Sequence, residues 1–147
     1  MEITRFAGKY AFLDNFYECK VTFEGVEYPT TENAFQAAKA FEPEEKKWIK
    51  HLFAKVDPGT AKGLGQSIVL RKDWETVKYE IMYELVRQKF QQPFFKTLLD
   101  MTEDWDLIEG NTWNDRCWGV CDGTGENHLG KILMRIREEN REGENEQ

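Results

Sequence analysis

Glu32, Gln36 and Lys39 fall within eight residues of one another in TENAFQAAKAF, a stretch rich in helix formers. At about 100° per residue they lie near 0°, 40° and −20°, so a helix would align a carboxylate, an amide and an ammonium on one narrow stripe. Such a stripe can stabilise a developing cation, activate water or hold a phosphate. Spacing alone equally fits a solvated helix face with ordinary i,i+4 pairs. A second group occupies Glu109-Gly-Asn111-Thr-Trp113-Asn114-Asp115-Arg116-Cys117-Trp118-Gly119, where two tryptophans, two carboxylates and two amides share eleven residues. Aromatic faces beside acids suit a flat heterocycle joined to a ribose, the rings stacking while the acids bind hydroxyls or an emerging cation. Anchoring of the loop to the core explains the tryptophans equally well. A third group, Gly123-Thr-Gly125-Glu-Asn127-His-Leu-Gly130, opens onto a helix. It is neither a dinucleotide fingerprint, since His128 stands where glycine is needed, nor a P-loop. Glycines ahead of a helix can still expose N–H groups to a phosphate, or can simply form a tight turn and cap.

The elements that must position these groups can be read from periodicity. Residues 18–28 alternate Cys19, Val21 and Phe23 against Lys20, Thr22 and Glu24 and turn at Glu24-Gly25, the pattern of a β-hairpin. Thr31 is the expected N-cap of a helix reaching Phe41, with Ala34, Ala38 and Phe41 on the face opposite Glu32. Pro43 opens an amphipathic helix carrying Trp48, Ile49, Leu52 and Phe53, and a short helix is expected over residues 58–66. Asp73 is expected to cap the longest helix, whose apolar positions Trp74, Val77, Ile81 and Leu85 continue to Gln91-Gln92-Pro93; residues 94–101 form its partner helix. Residues 107–109 read as a short strand, and the stretch 110–126, holding Gly110, Gly119, Gly123 and Gly125 among Asn, Asp and Thr, as a long ordered loop. A last helix runs from about Asn127 through Leu129, Ile132, Leu133 and Ile136, after which EENREGENEQ is too polar to pack. The expected class is α+β: a helix-dominated single domain over residues 1–138, a small β-sheet drawn from the N-terminal region and residues 106–120, and a flexible acidic tail over 139–147.

Composition bounds the partners. Hydrophobic residues at 40% and aromatic ones at 14% supply enough bulk for a core without disulfides or a structural metal. A formal charge of −7 repels a phosphate backbone and argues against broad duplex DNA binding. No apolar run approaches the roughly 20 residues that span a bilayer, and the N-terminus lacks the pattern of a secretory leader, so a cytoplasmic protein with no membrane partner is expected. Cys19, Cys117 and Cys121 are an odd set without scaffold spacing and read as reduced thiols. Cys117, Cys121 and His128 lack a fourth ligand and match no zinc pattern, so neither a metal nor a cofactor is expected.

Five ordered blocks nevertheless resemble one family, the YbiA-like proteins or NADAR domains. They are Phe12-Leu13-Asp14-Asn15-Phe16-Tyr17; Tyr28-Pro29-Thr30-Thr31-Glu32-Asn33-Ala34-Phe35-Gln36-Ala37-Ala38-Lys39; Arg71-Lys72-Asp73-Trp74-Glu75; Glu109 with Asn114-Asp115 and Trp118-Gly119; and Gly125-Glu-Asn127-His-Leu129-Gly130 leading into Leu133-Met134-Arg135-Ile136-Arg137. The resemblance implies a YbiA-like fold and cleavage of an N-glycosidic bond at ribose C1, in ribosylated pyrimidine intermediates of riboflavin synthesis or in ADP-ribosylated guanine. It implies catalytic roles for Glu32, Lys39 and Asp115, and substrate contacts for Asn15, Phe16, Asn33, Gln36, Trp74, Glu109, Trp118, Gly119, Gly125 and Asn127. The implied partner is a small ribosylated or ADP-ribosylated molecule, or a modified base in single-stranded nucleic acid; a non-catalytic ADP-ribose binder would use the same residues. Two positions depart from the family pattern: Asn33 replaces a common histidine and so cannot titrate near neutrality, and Asp14 replaces a common serine.

Overall fold

The structure is a computed structural model that describes residues 1–146. In chain order it contains β1 (Glu2–Ile3), a 3-10 turn (Gly8–Leu13), β2 (Glu18–Phe23), β3 (Val26–Thr30), α1 (Thr31–Ala38), a second 3-10 turn (Glu44–Lys46), α2 (Trp48–Phe53), α3 (Pro58–Gly65), α4 (Trp74–Gln91), α5 (Pro93–Asp100), β4 (Asp106–Leu107), β5 (Gly110–Asn111), β6 (Val120–Cys121) and α6 (His128–Asn145). Helices dominate and strands are short, so the class is α+β as the sequence indicates. The strands do not form one sheet; they pair as three separate two-stranded ladders. The chain folds into two compact units, residues 15–89 and residues 1–14 with 90 onward.

In the unit formed by residues 15–89, β2 and β3 are an antiparallel hairpin whose turn puts Glu24 at φ 47° and Gly25 at φ 82°. Two consecutive positive φ values match the right-handed twist of the flanking strands, and glycine adopts the second at no steric penalty. Cys19, Val21 and Tyr28 point inward and are buried. The hairpin delivers Thr30 in extended conformation, and its side chain accepts from Asn33 N–H at 3.0 Å. Thr30, not Thr31, is therefore the N-cap of α1, because Thr31 is already helical. The helix also stops before Phe41. Ala40 bridges Leu70 and the Phe41 amide donates to the Val69 carbonyl at 2.8 Å, so pairing with a distant strand-like segment replaces helical hydrogen bonds.

α3 begins as its sequence predicts, with Pro58 in the first turn and the Asp57 carboxylate accepting from Thr60 N–H at 2.8 Å. It packs on α1, burying Ala61 and Gly65. α2 is shorter than its pattern suggests: Phe53 is buried, whereas Trp48 is 61% exposed. On α4 up to Lys89 the buried positions are Trp74, Met82, Tyr83, Leu85, Val86 and Lys89, with Val77 and Ile81 only half-buried. The Asp73 carboxylate is held by the Arg71 guanidinium at 2.6 Å, which lowers the Asp73 pKa and occupies the side chain expected to cap this helix.

In the other unit, β1 and β4 run parallel with Ile3 opposite Leu107, and β5 and β6 run parallel with Gly110 opposite Val120. β4 begins one residue earlier than expected. α6 packs on β4 and α5, closing a core of Ile3, Phe90, Phe95, Leu99, Leu107, Leu129, Leu133 and Ile136. Full burial of each large apolar side chain contributes about 1.5–3 kcal/mol.

α6 continues to Asn145, so most of the segment read as a flexible tail is helical; Gln147 lies outside the described residues. The reason is polar rather than apolar. Arg141 donates to the carboxylates of Asp100 (2.9 Å) and Asp104 (2.7 Å) and to the Glu103 carbonyl (2.8 Å), and Asn140 donates to the Phe90 carbonyl at 3.2 Å. Deeper in, the buried Arg137 donates from Nη1 to Thr102 Oγ1 at 2.9 Å and to the Trp105 carbonyl at 3.0 Å. Arg137→Leu would strand that carbonyl and is expected to lower unfolding free energy by about 1–3 kcal/mol in urea titrations. Arg135→Leu, at an exposed position of the same helix, should change it by less than about 1 kcal/mol.

Candidate functional site

α1 is buried on every side, and this decides between the two readings of its polar stripe. Glu32 is 7% exposed and Gln36 4%, so the stripe is not a solvated face. Gln36 Nε2 donates to Glu32 Oε1 at 2.7 Å, and the Glu32 amide donates to the Asn15 carbonyl at 3.0 Å. Gln36 Oε1 has no hydrogen-bond partner. That oxygen lies against Gly65 of α3, where a Cβ would come within 1.9 Å of it. Lys39, one residue past α1, is half-buried, with its ammonium 5.8 Å from the centre of the Phe35 ring. Burial lowers its pKa, helped by the positive fields of Lys62 and Lys78; Glu32 and Glu75 pull it back up.

Three residues expected to contact substrate in this unit make structural contacts within the chain. Asn33 is fully buried; its Nδ2 donates to the carbonyls of Phe53 and Val56, both at 2.8 Å, and its Oδ1 accepts from Thr30 Oγ1. It ties the end of α2 to α1 and presents nothing to a ligand. Trp74 is 5% exposed and packs on Phe35 with ring centres 5.0 Å apart. Asn15 is buried, its Nδ2 directed at Met82 Sδ and its carbonyl holding the start of α1. Phe16, 40% exposed, remains presented to solvent.

The other unit holds Glu109, Asp115, Trp118, Gly119, Gly125 and Asn127. Asp115 Oδ1 accepts from the amides of Cys117 (3.2 Å) and Trp118 (3.0 Å). Asn111, whose part the sequence reading missed, clamps Asp115 from the other side: its Nδ2 donates to the Asp115 carbonyl at 2.8 Å and its Oδ1 accepts from the Asp115 amide at 3.0 Å. The Asn111-x3-Asp115 spacing in an Asn- and Gly-rich loop was the available signal. Trp118 stands edge-on to His128 at 6.1 Å and is half-buried. Gly119 is required by contact, since a Cβ there would fall 1.9 Å from Glu109 Oε2.

Of the two readings of the Gly123–Gly130 segment, the hydrogen bonds at the start of α6 are those of a tight turn and cap. The amides of Asn127, His128 and Leu129 donate to the carbonyls of Gly119 (3.3 Å), Cys117 (3.1 Å) and Trp118 (3.0 Å). The N–H groups that would hold an anion instead hold the 117–119 loop. The Asn127 side chain is equally committed, accepting from Glu109 N–H at 3.0 Å and donating to the Leu107 carbonyl at 2.9 Å. Gly125 serves the same clamp, with φ 155° and no room for a Cβ against the Gly119 carbonyl. Among the described residues one set of donor atoms clusters as metal ligands can: Cys117, Glu126 and His128, within 4.8 Å of one another.

A sequence profile of the NADAR domain matches residues 4–141. The chain belongs to the NADAR family. This NADAR protein is 35% identical over 134 residues to N-glycosidase YbiA of Escherichia coli K12, covering 88% of this chain and 81% of that one. It is 35% identical to an N-glycosidase of Nostoc punctiforme, covering 88% and 85%, and 36% identical to a riboflavin biosynthesis protein of Vibrio vulnificus, covering 88% of this chain but 35% of that protein. The NMR structure of E. coli YbiA superposes with a TM-score of 0.83 at 32% identity, covering 100% of this chain and 90% of that one. The fold is therefore that of YbiA. No helix among the described residues is long and apolar enough to cross a membrane.

The close approach of α3 to Gln36 gives this NADAR protein a stability test within one helix. Gly65→Ala should cost about 1–3 kcal/mol, because the new methyl meets Gln36 Oε1 and neighbouring atoms must shift. Gly63→Ala, where nothing lies within 4 Å, should be neutral or stabilise by up to about 1 kcal/mol. Equilibrium denaturation of both variants measures the contrast.

Proposed function

We propose that this chain is an N-glycosidase that hydrolyses the bond between C1 of a ribose, carried as ribose 5-phosphate or ADP-ribose, and a nucleobase or aminopyrimidine nitrogen. The reading rests above all on Glu32, a buried carboxylate oriented by Gln36 at 2.7 Å on a helix whose C-cap is Lys39. Breaking a ribosyl C–N bond builds positive charge on C1 and the ring oxygen, and a fixed carboxylate in a desolvated site stabilises that charge strongly. As C1–N breaks, water forms the new C1–O bond; one of its protons passes to Glu32 and from there to the leaving nitrogen, so the products are the 1-hydroxy ribose phosphate or ADP-ribose and the free base or amine, with the Glu32 carboxylate restored.

Lys39 supplies positive charge for a phosphate and for pairing with Glu32. An amine nucleophile at C1 of an opened ribose is the other chemistry open to it. Phe16, in the same unit as Glu32 and Lys39, remains presented for ring contact, and the family resemblance implies substrate roles for Asp115, Glu109 and Trp118 as well. The names N-glycosidase and riboflavin biosynthesis protein among the relatives favour a ribosylaminopyrimidine phosphate as the first substrate to assay.

Glu32→Gln, which keeps the side-chain volume, should reduce turnover by about 100- to 1,000-fold or more while remaining folded. Release of free base, followed by mass spectrometry on a ribosylaminopyrimidine phosphate and on ADP-ribosylated guanosine in single-stranded DNA, measures it; undiminished activity of the folded variant refutes the assignment. Because the Lys39 pKa is lowered, the ammonium loses its proton at a lower pH than an ordinary lysine. Where the ammonium is the active form, activity should fall on the alkaline side through that pKa, and Lys39→Arg should retain activity and move the falling limb to higher pH. If Lys39 is a nucleophile, Lys39→Arg is inactive and borohydride traps substrate on the wild-type chain.

A further inference from the structure

Cys117, Glu126 and His128 converge where the 117–119 loop meets the start of α6, within the unit formed by residues 1–14 and 90 onward. None of the three is assigned a part in glycoside cleavage. Their donor atoms, a sulfur, a carboxylate oxygen and an imidazole nitrogen, all lie within 4.8 Å of one another. His128 Nε2 is 3.1 Å from Glu126 Oε2. A tetrahedral Zn²⁺ ion, about 2.0–2.1 Å from nitrogen and oxygen and about 2.3 Å from sulfur, sets its ligands about 3.3–3.6 Å apart. The nitrogen and oxygen already stand near that spacing, and side-chain rotations of roughly 1 Å bring the sulfur to it.

The backbone brings these side chains together without help from an ion. The His128 amide donates to the Cys117 carbonyl at 3.1 Å, and the Glu126 amide to the Arg116 carbonyl at 2.8 Å. Between Glu126 and His128, Asn127 sits at φ 52°, and its side chain is fixed by Glu109 N–H and the Leu107 carbonyl. The Cys117 amide is held in turn by Asp115 Oδ1 at 3.2 Å. A hydrogen bond alone accounts for the spacing of His128 and Glu126, but not for a thiol from the preceding loop meeting the same point. The sequence spacing sets Cys121 beside Cys117 and His128; in the fold Cys121 is buried with its sulfur 3.9 Å from Asp122 Oδ2, and Glu126 takes the third place. Cys117 and His128 are half-buried and the Glu126 side chain is 64% exposed, so the cluster opens to solvent.

We propose that Cys117, Glu126 and His128 bind one Zn²⁺ ion, with water in the fourth position. The donor set selects the metal: magnesium and calcium take oxygen ligands, whereas zinc accepts thiolate, imidazole and carboxylate together. A chain of net charge −7 favours a divalent cation. As the Zn–S bond forms, the Cys117 thiol gives its proton to solvent, and no electron is transferred. The ion ties the loop that carries Asp115 and Trp118 to the first turn of α6, adding metal bonds to the hydrogen bonds already there.

The test uses the full chain, purified with a chelator and then titrated with cobalt(II) chloride, whose ion takes tetrahedral zinc sites and reports their ligands. One equivalent should produce a thiolate-to-cobalt charge-transfer band and d–d bands of tetrahedral intensity, and zinc chloride should bleach both by displacement. Zinc chloride should also raise the thermal unfolding midpoint, and more so as its concentration rises. Cys117→Ser, a change of sulfur to oxygen, should abolish the charge-transfer band. Glu126→Gln, at an exposed position where folding is not at stake, should weaken cobalt binding at least about tenfold, and His128→Asn should do the same. Binding is read directly, so the result stands whether or not the chain cleaves a glycoside. Absence of saturable one-to-one binding overturns the proposal. So does a charge-transfer band that survives in Cys117→Ser, since other thiols then hold the metal, or cobalt affinity unchanged in Glu126→Gln.

Discussion

The burial of α1 on all sides is the constraint from which the rest of the 15–89 unit follows. Eight residues of helix enter the interior carrying Thr31, Glu32, Asn33 and Gln36, and a buried polar group without a partner is destabilising. The surrounding elements are arranged to answer those groups. The hairpin delivers Thr30 as the cap, the end of α2 and the turn after it bring the carbonyls of Phe53 and Val56 to Asn33, and α3 places a glycine where a Cβ would collide with Gln36. Glu32 is then oriented by a helix that cannot rotate without breaking several of these bonds at once. A carboxylate held this way needs little reorganisation when charge develops beside it.

The loop of the other unit obeys the same logic with backbone atoms. Residues 109–127 lack long strands, so their amides and carbonyls cannot satisfy one another in a ladder. Asn111, Asp115 and Asn127 supply the missing partners from side chains, and the first amides of α6 supply the rest. Positive φ at Asn114, Asp122, Gly123 and Asn127 lets the chain turn back repeatedly. A helix N-terminus used as a clamp is no longer an anion site, so an acid or a glycine here can be indispensable without touching substrate.

Local patterns were legible wherever local chemistry decided the outcome. The hairpin with its Glu24-Gly25 turn, the Pro58 helix behind Asp57 and the Pro93 helix all follow from capping, turn and period rules. What was not legible was set by distant partners. Phe41 reads as helix, yet Val69 and Leu70 take the chain out of it; residues past Ile136 read as too polar to pack, yet Asp100 and Asp104 hold Arg141. The site divides the same way. Glu32 and Lys39 could be placed on one helix from spacing, and their interest came from the family resemblance. No pattern within eleven residues could tell that Asn33 and Asn127 would be consumed by carbonyls 20 residues away.

The field of Glu32 at Lys39 couples the charge states of the two side chains. The carboxylate charge is among the influences that keep the Lys39 proton on, while burial, Lys62 and Lys78 work to remove it. In the proposed mechanism, proton uptake by Glu32 removes that favourable field and leaves Glu75 alone to oppose burial, Lys62 and Lys78. Lys39 then holds its own proton less tightly than while Glu32 is charged. Low effective dielectric strengthens this coupling, because a field that water would screen is felt across the few ångströms between helix positions. Burying α1 therefore does two things at once: it fixes where the carboxylate points, and it makes the protonation of one end of the stripe depend on the other.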